Sequence, residues 1–283
     1  MKTKTRKKLT PGKVVAEILV IGLAAAVLIP LVYTFFLSLK TTQEIYSAPL
    51  ELPKDWLWSN YVKAFKMMNP FSLVKNSLID EFASLGISIT LSVLASFAIS
   101  RMRFGKGRLQ NTTYSYFIAG TIIPSFVIII PLYLVFARLH IADTLWALIL
   151  PHAAWMVPMN IMLLVSGFNS IPYELDEAAT IDGCSAMKIL TKVQLPLVTP
   201  SIVTLVIVQF IYIWNDFFLS LVMINSLEHR TIALASSVFK GMYSSDYALM
   251  TAGIIILVIP LLAIFLVLQR YVVDGVTAGA VKG

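Results

Sequence analysis

From Ile18 to Leu39 the chain carries no charged side chain. At about 1.5 Å of rise per residue, such a run lets one helix cross roughly 30 Å of hydrocarbon. Similar runs with little or no charge recur at about 82–100, 117–137, 145–165, 197–223 and 250–268. They predict an all-α integral membrane protein with six transmembrane helices in a single domain over residues 1–283. A composition of 58% hydrophobic and 13% charged residues, with a mean hydropathy of +0.82, agrees with a chain that is almost all membrane. The basic start, with Lys2, Lys4, Arg6, Lys7 and Lys8, is shared with secretory leaders. Leader cores usually hold only about 7–15 apolar residues before a small-residue cleavage site, so the first run reads as a retained span.

The net charge of +7 sits in short blocks beside the spans, which is how lysine and arginine orient a membrane protein and not how a nucleic-acid surface looks. With the N-terminus inside, the inner segments contain Lys2 to Lys13, Arg101 to Arg108, Lys188 and Lys192, and Arg270 and Lys282, fourteen of the 22 basic residues. That excess predicts that both termini are cytoplasmic. Pro124 and Pro131 fall seven residues apart on nearly one face of the third span, where they release carbonyls that neighbours or a water-filled cavity must satisfy. Asp80 and Glu81 stand at the mouth of the second span, as an interfacial cap would. The single cysteine, Cys184, excludes an intrachain disulfide and reads as a small packing residue.

One polar, acidic interval breaks the apolar pattern, at about 170–196. Pro172, Glu174, Asp176 and Glu177 suit the first turns of a short helix, with proline and carboxylates placed where the helix start favours them. Gly183 ends that helix, Ala178 and Ala179 give it a small-residue face, and a second short helix is expected from Ser185 to Val193 before Leu195-Pro196 turns the chain. The result is a helix-turn-helix projecting into the cytoplasm. The spacing Glu177-Ala178-Ala179, Asp182-Gly183, Leu195-Pro196 and Pro200 closely resembles the EAA loop of ABC importer permease subunits. The resemblance implies a coupling element that docks into a cleft of a separate ATPase, with Glu177 as polar contact, Ala178 and Ala179 as the close-packing face and Gly183 as the turn. Asp182, Leu195 and Pro196 complete the motif.

The ending Gln269 to Gly283, QRYVVDGVTAGAVKG, resembles that of maltose-type and multiple-sugar permease subunits. It implies a subunit of a carbohydrate importer in a prokaryotic cell membrane. The partners so implied are a second permease subunit, two ATP-binding subunits that hold ATP and Mg, an extracellular or periplasmic sugar-binding protein, and membrane lipid. No cofactor is implied for this chain. The aromatic segment with Trp56, Trp58, Tyr61 and Phe65 reads either as a contact for the binding protein or as an interfacial loop with aromatic anchors.

The chain lacks a G-x-x-x-x-G-K-S/T stretch, since Gly105-Lys106-Gly107-Arg108 has neither the spacing nor the hydroxyl. Its histidines, His140, His152 and His229, lie on different segments, and neither a zinc-type spacing nor a nucleophile elbow occurs, so an enzyme is not expected. Polar groups at membrane depth usually face a cavity or another helix. On the fifth span Ser201, Thr204, Gln209, Tyr212, Asn215 and Asp216 share an arc of about 140°, and read either as pathway lining or as a packing face. On the fourth, His152, Trp155 and Asn160 suit the apolar faces and hydroxyls of a sugar, or a packed bundle. The competing class is a gradient-driven transporter or channel with Asp216 and His152 as ion sites, for which the expected internal repeat is missing.

Overall fold

A backbone buried in hydrocarbon can pair only with itself, and the apolar runs accordingly become helices. The computed structural model describes residues 11–102, 108–239, 245–259 and 262. Among these the chain forms α1 (Pro11–Ser38), α2 (Thr42–Ser47), α3 (Ser59–Met68), α4 (Pro70–Arg101), α5 (Arg108–Ala119), α6 (Ser125–Arg138), α7 (Trp146–Asn169) and α8 (Glu174–Ile181). It continues with α9 (Ala186–Trp214), α10 (Phe218–Met223) and α11 (Tyr247–Ile259). Four stretches are long and apolar enough to cross a membrane: Glu17–Ser38, α4, α7 and α9. The basic residues from Lys2 to Lys8, Arg103, Lys106, most of the sixth expected run beyond Ile259 and the tail from Gln269 lie outside the described residues.

The third expected span is not straight. Arg108–Ile122 and Ser125–Arg138 meet at 92°. Pro124 disfavours a helical conformation for Ile123, which is extended at φ −81° and ψ 115°, and Pro124 itself becomes the residue that precedes α6. The second span starts twelve residues earlier than its uncharged core, at Pro70 rather than residue 82. One side of its added turns is buried and carries Asn76, Ser77, Asp80 and Glu81, so Asp80 and Glu81, at 3% and 0% exposure, are not an interfacial cap. The fifth span begins at Ala186 and stops at Trp214, nine residues short of the expected end; the Asp216 carboxylate then accepts from the Leu219 N–H to open α10.

Contacts divide the chain into two compact units, bounded by Met1–Met68 with Ser236–Pro260, and by Asn69–Ala235 with Leu261–Gly283. In the first, the segment after α1 is folded and not an open loop. Lys40 is fully buried, its Nζ donating to the carbonyls of Ala48 (2.7 Å) and Pro49 (3.3 Å) at the end of α2. Asn60 donates to the carbonyls of Ser38 and Lys40, both at 2.9 Å, and Trp58 stacks on Tyr61. Asp246 accepts from the Leu249 N–H and so caps α11.

The second unit is built on α4, α7 and α9. Ser84, Ser88, Ser92 and Ser96 recur every four residues on α4, and each is fully buried. Small side chains at that spacing let helix backbones approach closely, which is how helices associate where there is no water to expel. Ser84 donates to the Ile149 carbonyl of α7, and Ser88 to Oε1 of Gln209 on α9 at 2.6 Å. At the other α7 contact, a Cβ on Gly167 would come within 2.9 Å of Val198 Cγ2 and 3.1 Å of Ser201 Oγ. The α6–α7 connection is clasped to the segment after α10: Oδ1 of Asp143, at φ 61°, accepts from the N–H groups of Asn225 and Ser226 at 2.9 Å and from the Ser226 hydroxyl at 3.0 Å.

Gly167→Leu forces Val198 or the α7 backbone aside and costs about 1–3 kcal/mol by overpacking; Gly86→Leu, with nothing within 4 Å of its Cβ, does not. Thermal unfolding of the two variants in detergent compares them. For Asp143, burial works to raise the carboxyl, but the donors of Ser226 and Asn225, with His229 nearby, outweigh it and hold the carboxyl below its ordinary 3.8. A depressed folded value stabilises above the ordinary carboxylate range and ceases to do so as pH falls through it. The melting temperature should therefore drop less between about pH 5 and pH 3 in Asp143→Asn than in the unaltered chain.

Candidate functional site

The acidic first turn of α8, with Glu174, Asp176 and Glu177, matches the positive end of the helix dipole. The helix ends on Gly183, the described glycine with positive φ, at +78°. The Gly183 N–H donates to the Thr180 carbonyl and the Cys184 N–H to that of Ala179, a Schellman closure that satisfies two of the last carbonyls. Glu177, Ala178, Asp182 and Gly183 are exposed, and Ile181 beside them is 87% exposed.

Two features differ from the expectation. Ala178 and Ala179 do not form one face: Ala179 is buried in a cluster with Phe168 and Leu190, while Ala178 points away from it. Adjacent residues lie about 100° apart on a helix, which is enough to separate them. Nor does Leu195-Pro196 turn the chain, because the helix runs unbroken from Ala186 to Trp214 through a π-type stretch at Ile189–Gln194. Proline has no N–H to offer an α turn and crowds the carbonyl four residues back; the wider turn relieves this, so Pro196 stays in the helix, exposed, with Leu195 half-buried.

Beneath α8 lies a group that the motif did not reveal. Arg101, the last residue of α4, has a side chain 3% exposed and faces Asp176 with Nη1 3.4 Å from Oδ2. Its Nη2 donates to the carbonyls of Phe168 and of Ile171, the latter at 2.7 Å. The ring of Tyr173 lies 4.8 Å from the guanidinium, and the Tyr173 hydroxyl donates to the Arg101 carbonyl at 3.1 Å. Gln194 completes the set by donating from Nε2 to Oδ1 of Asp176 at 2.5 Å. A recess of about 460 Å³ opens beside it, lined by Phe97, Arg101, Glu177, Thr180 and Ile189 among others.

A second polar group crosses the same three long helices. His152 is fully buried between two carboxylates, with Nδ1 3.1 Å from both oxygens of Asp80 and Nε2 2.9 Å from Asp216. With hydrogen on both nitrogens the ring donates to both. Ser84 also donates to Asp80. Deeper in, Gln209 joins Ser88 to Asn160, donating to Asn160 Oδ1 at 2.9 Å. The residues expected as pathway lining thus part company. His152, Asn160 and Gln209, each at most 1% exposed, are sealed into a bonded network, and Trp155 packs edge-on to His152. Tyr212 and Asn215 stay exposed, Asn215 donating back to the Ile211 carbonyl. One polar arc on a helical wheel became two because the arc was wide enough to face both inward and outward.

Residues 88–278 match the family model of the binding-protein-dependent transport system inner membrane component. The chain belongs to that family. Among its relatives, the trehalose/maltose transport system permease protein MalG of Thermococcus litoralis is 32% identical over 273 residues, covering 94% of this chain and 96% of the relative. The trehalose transport system permease protein SugB of Mycobacterium tuberculosis is likewise 32% identical, covering 95% and 96%. A chain in the crystal structure of a bacterial ABC transporter that imports the acidic polysaccharide alginate shares the fold, with a TM-score of 0.72 over 94% of this chain and 99% of that one, at 21% identity.

The chain is therefore a multi-pass membrane permease of the ABC importer type and not a catalytic subunit. The family match takes in α8, Gly183, Arg101, His152 and Gln209, whereas Asp80 and Glu81 precede it. Removing one partner of a buried pair leaves the other charge uncompensated. His152→Ala should cost about 3–5 kcal/mol, read as a lowered melting temperature of the purified protein, and Asp216→Asn, at the 13% exposed edge, should cost less.

Proposed function

We propose that this chain is one of two permease subunits of an ATP-driven carbohydrate importer. It works with a second permease subunit, two ATPase subunits that bind ATP and Mg, and an extracellular sugar-binding protein. The observation that carries this reading is α8: a short, separately closed helix presents Glu177, Ala178, Ile181 and Asp182 outward, while Asp176 and Ala179 anchor its other side. That is the form of a docking lever. Both termini and α8 face the cytoplasm in this reading, supported by the excess of lysine and arginine on that side. The carbohydrate class rests on relatives named for trehalose and maltose and on the resemblance of the tail from Gln269.

ATP binding closes the ATPase dimer and displaces α8. The movement passes to the long helices and turns the permease pair from inward-open to outward-open, while the binding protein delivers sugar. Pathway lining is assigned to Tyr212 and Asn215, which remain exposed; His152, Trp155, Asn160, Gln209 and Asp216 hold the helices that form the wall.

Gly183 gives a graded test, because nothing lies within 4 Å of its Cβ position and only its positive φ opposes a side chain. A β-branched residue is an outlier there, whereas asparagine tolerates it. Gly183→Val and Glu177→Lys should abolish sugar uptake with the protein still inserted, and Gly183→Asn should retain most of it. Normal uptake in both of the first two would remove the coupling assignment. If the His152 group were instead the ion site of a gradient-driven carrier, collapsing the proton gradient at constant ATP would stop uptake at once.

A further inference from the structure

We propose that Arg101 and Asp176 form the strut through which α8 moves α4, making Arg101 a positioning residue for coupling. The inference rests on the coupling role of α8 and adds the route by which its displacement enters the membrane. Arg101 ends the helix that carries more of the buried polar side chains than any other described element, including Asp80, Ser84 and Ser88. Asp176 lies on the inner face of α8, one residue from the exposed Glu177. A load applied at Glu177 therefore reaches a carboxylate that is ion-paired to Arg101 through one oxygen and accepts a hydrogen bond from Gln194 of α9 on the other.

The guanidinium suits this task for a physical reason. Its planar fork fixes several acceptors at once, where a lysine ammonium is a compact charge on a flexible stem. Here it spans the carbonyls of Phe168 and Ile171, at the end of α7 and just past it, as well as Asp176. Tyr173 covers its face and binds its own carbonyl. The ends of α4 and α7, the start of α8 and, through Gln194, the wide turn of α9 are thus tied around one cation. With both side chains largely buried, the pair is poorly screened by salt, so α8 and α4 move as one body.

The test uses the whole complex in proteoliposomes with its ATPase and binding-protein partners, comparing Arg101→Gln, Asp176→Asn, the double variant and Asp176→Glu. Sugar transported per ATP hydrolysed should fall at least tenfold in each single neutral variant, while the partners still co-purify. The double variant should be no worse than the poorer single one, and Asp176→Glu should recover part of the loss. Hydrogen exchange supplies a readout that mere folding does not move. In the unaltered complex ATP binding should change protection in α8 and in residues 92–101 together; in Asp176→Asn only the change in α8 should remain. Asp176→Asn is nearly isosteric and carries the test if Arg101→Gln does not assemble. Unchanged coupling in Asp176→Asn, or an ATP response that still reaches residues 92–101, overturns the strut. Loss of uptake in Gly183→Val alongside such a result leaves the docking role of α8 standing, so the two failures are separable.

Discussion

A polar side chain inside hydrocarbon must find its partner within the protein, and the arrangement of α4, α7 and α9 answers that requirement for His152, Gln209 and Arg101. No water can be expelled between helices surrounded by lipid, so close backbone approach and side-chain hydrogen bonds do what the hydrophobic effect does in a soluble core. The buried serines of α4 serve the first need and two of them also serve the second, through Ile149 and Gln209. His152 with its two carboxylates, and Arg101 with Asp176, stand at different depths of the same helix assembly. The three groups share one logic: each joins α4 to α7 or α9 by a bond that lipid cannot replace.

The helical class and the short α8 closed by Gly183 were legible because they depend on local rules. Uncharged length specifies a span, and glycine after an amphipathic turn specifies a left-handed cap. The family was legible as well, since the spacing from Glu177 to Pro200 survives in one continuous stretch. What escaped were properties that depend on a neighbour. Charge marks the edge of the apolar run at Asp80 and Glu81, yet the helix continues to Pro70, with Asn76, Ser77, Asp80 and Glu81 on a side that the rest of the chain covers. Pro124 signals released carbonyls in the sequence, whereas its effect on Ile123 is a 92° break between two helices.

The site was legible to the same degree. The motif pointed to the outward face of α8 but not to its anchor, because Arg101 and Asp176 lie 75 positions apart in a sequence with many basic residues near span ends. The four-residue recurrence of Ser84, Ser88, Ser92 and Ser96 was in plain view and is the signal that would have identified the inward face of α4. On α9 the polar wheel put Gln209 in one arc with Tyr212 and Asn215, although Gln209 is sealed and the other two are exposed, because a wheel records direction and not what stands in that direction.

The wide turn at Ile189–Gln194 has a geometric consequence for the helix that contains it. A π turn holds about one residue more than an α turn, so positions before and after it are offset by about 100° around the axis relative to a regular helix. Met187, 57% exposed beside α8, and the inward row that runs through Leu205 and Gln209 therefore belong to two different angular frames on one continuous rod. A one-residue deletion within the turn would restore a single frame. It would swing everything on the α8 side around the axis without changing any side chain there, which makes this short stretch the place where the phase between the lever and the wall is set.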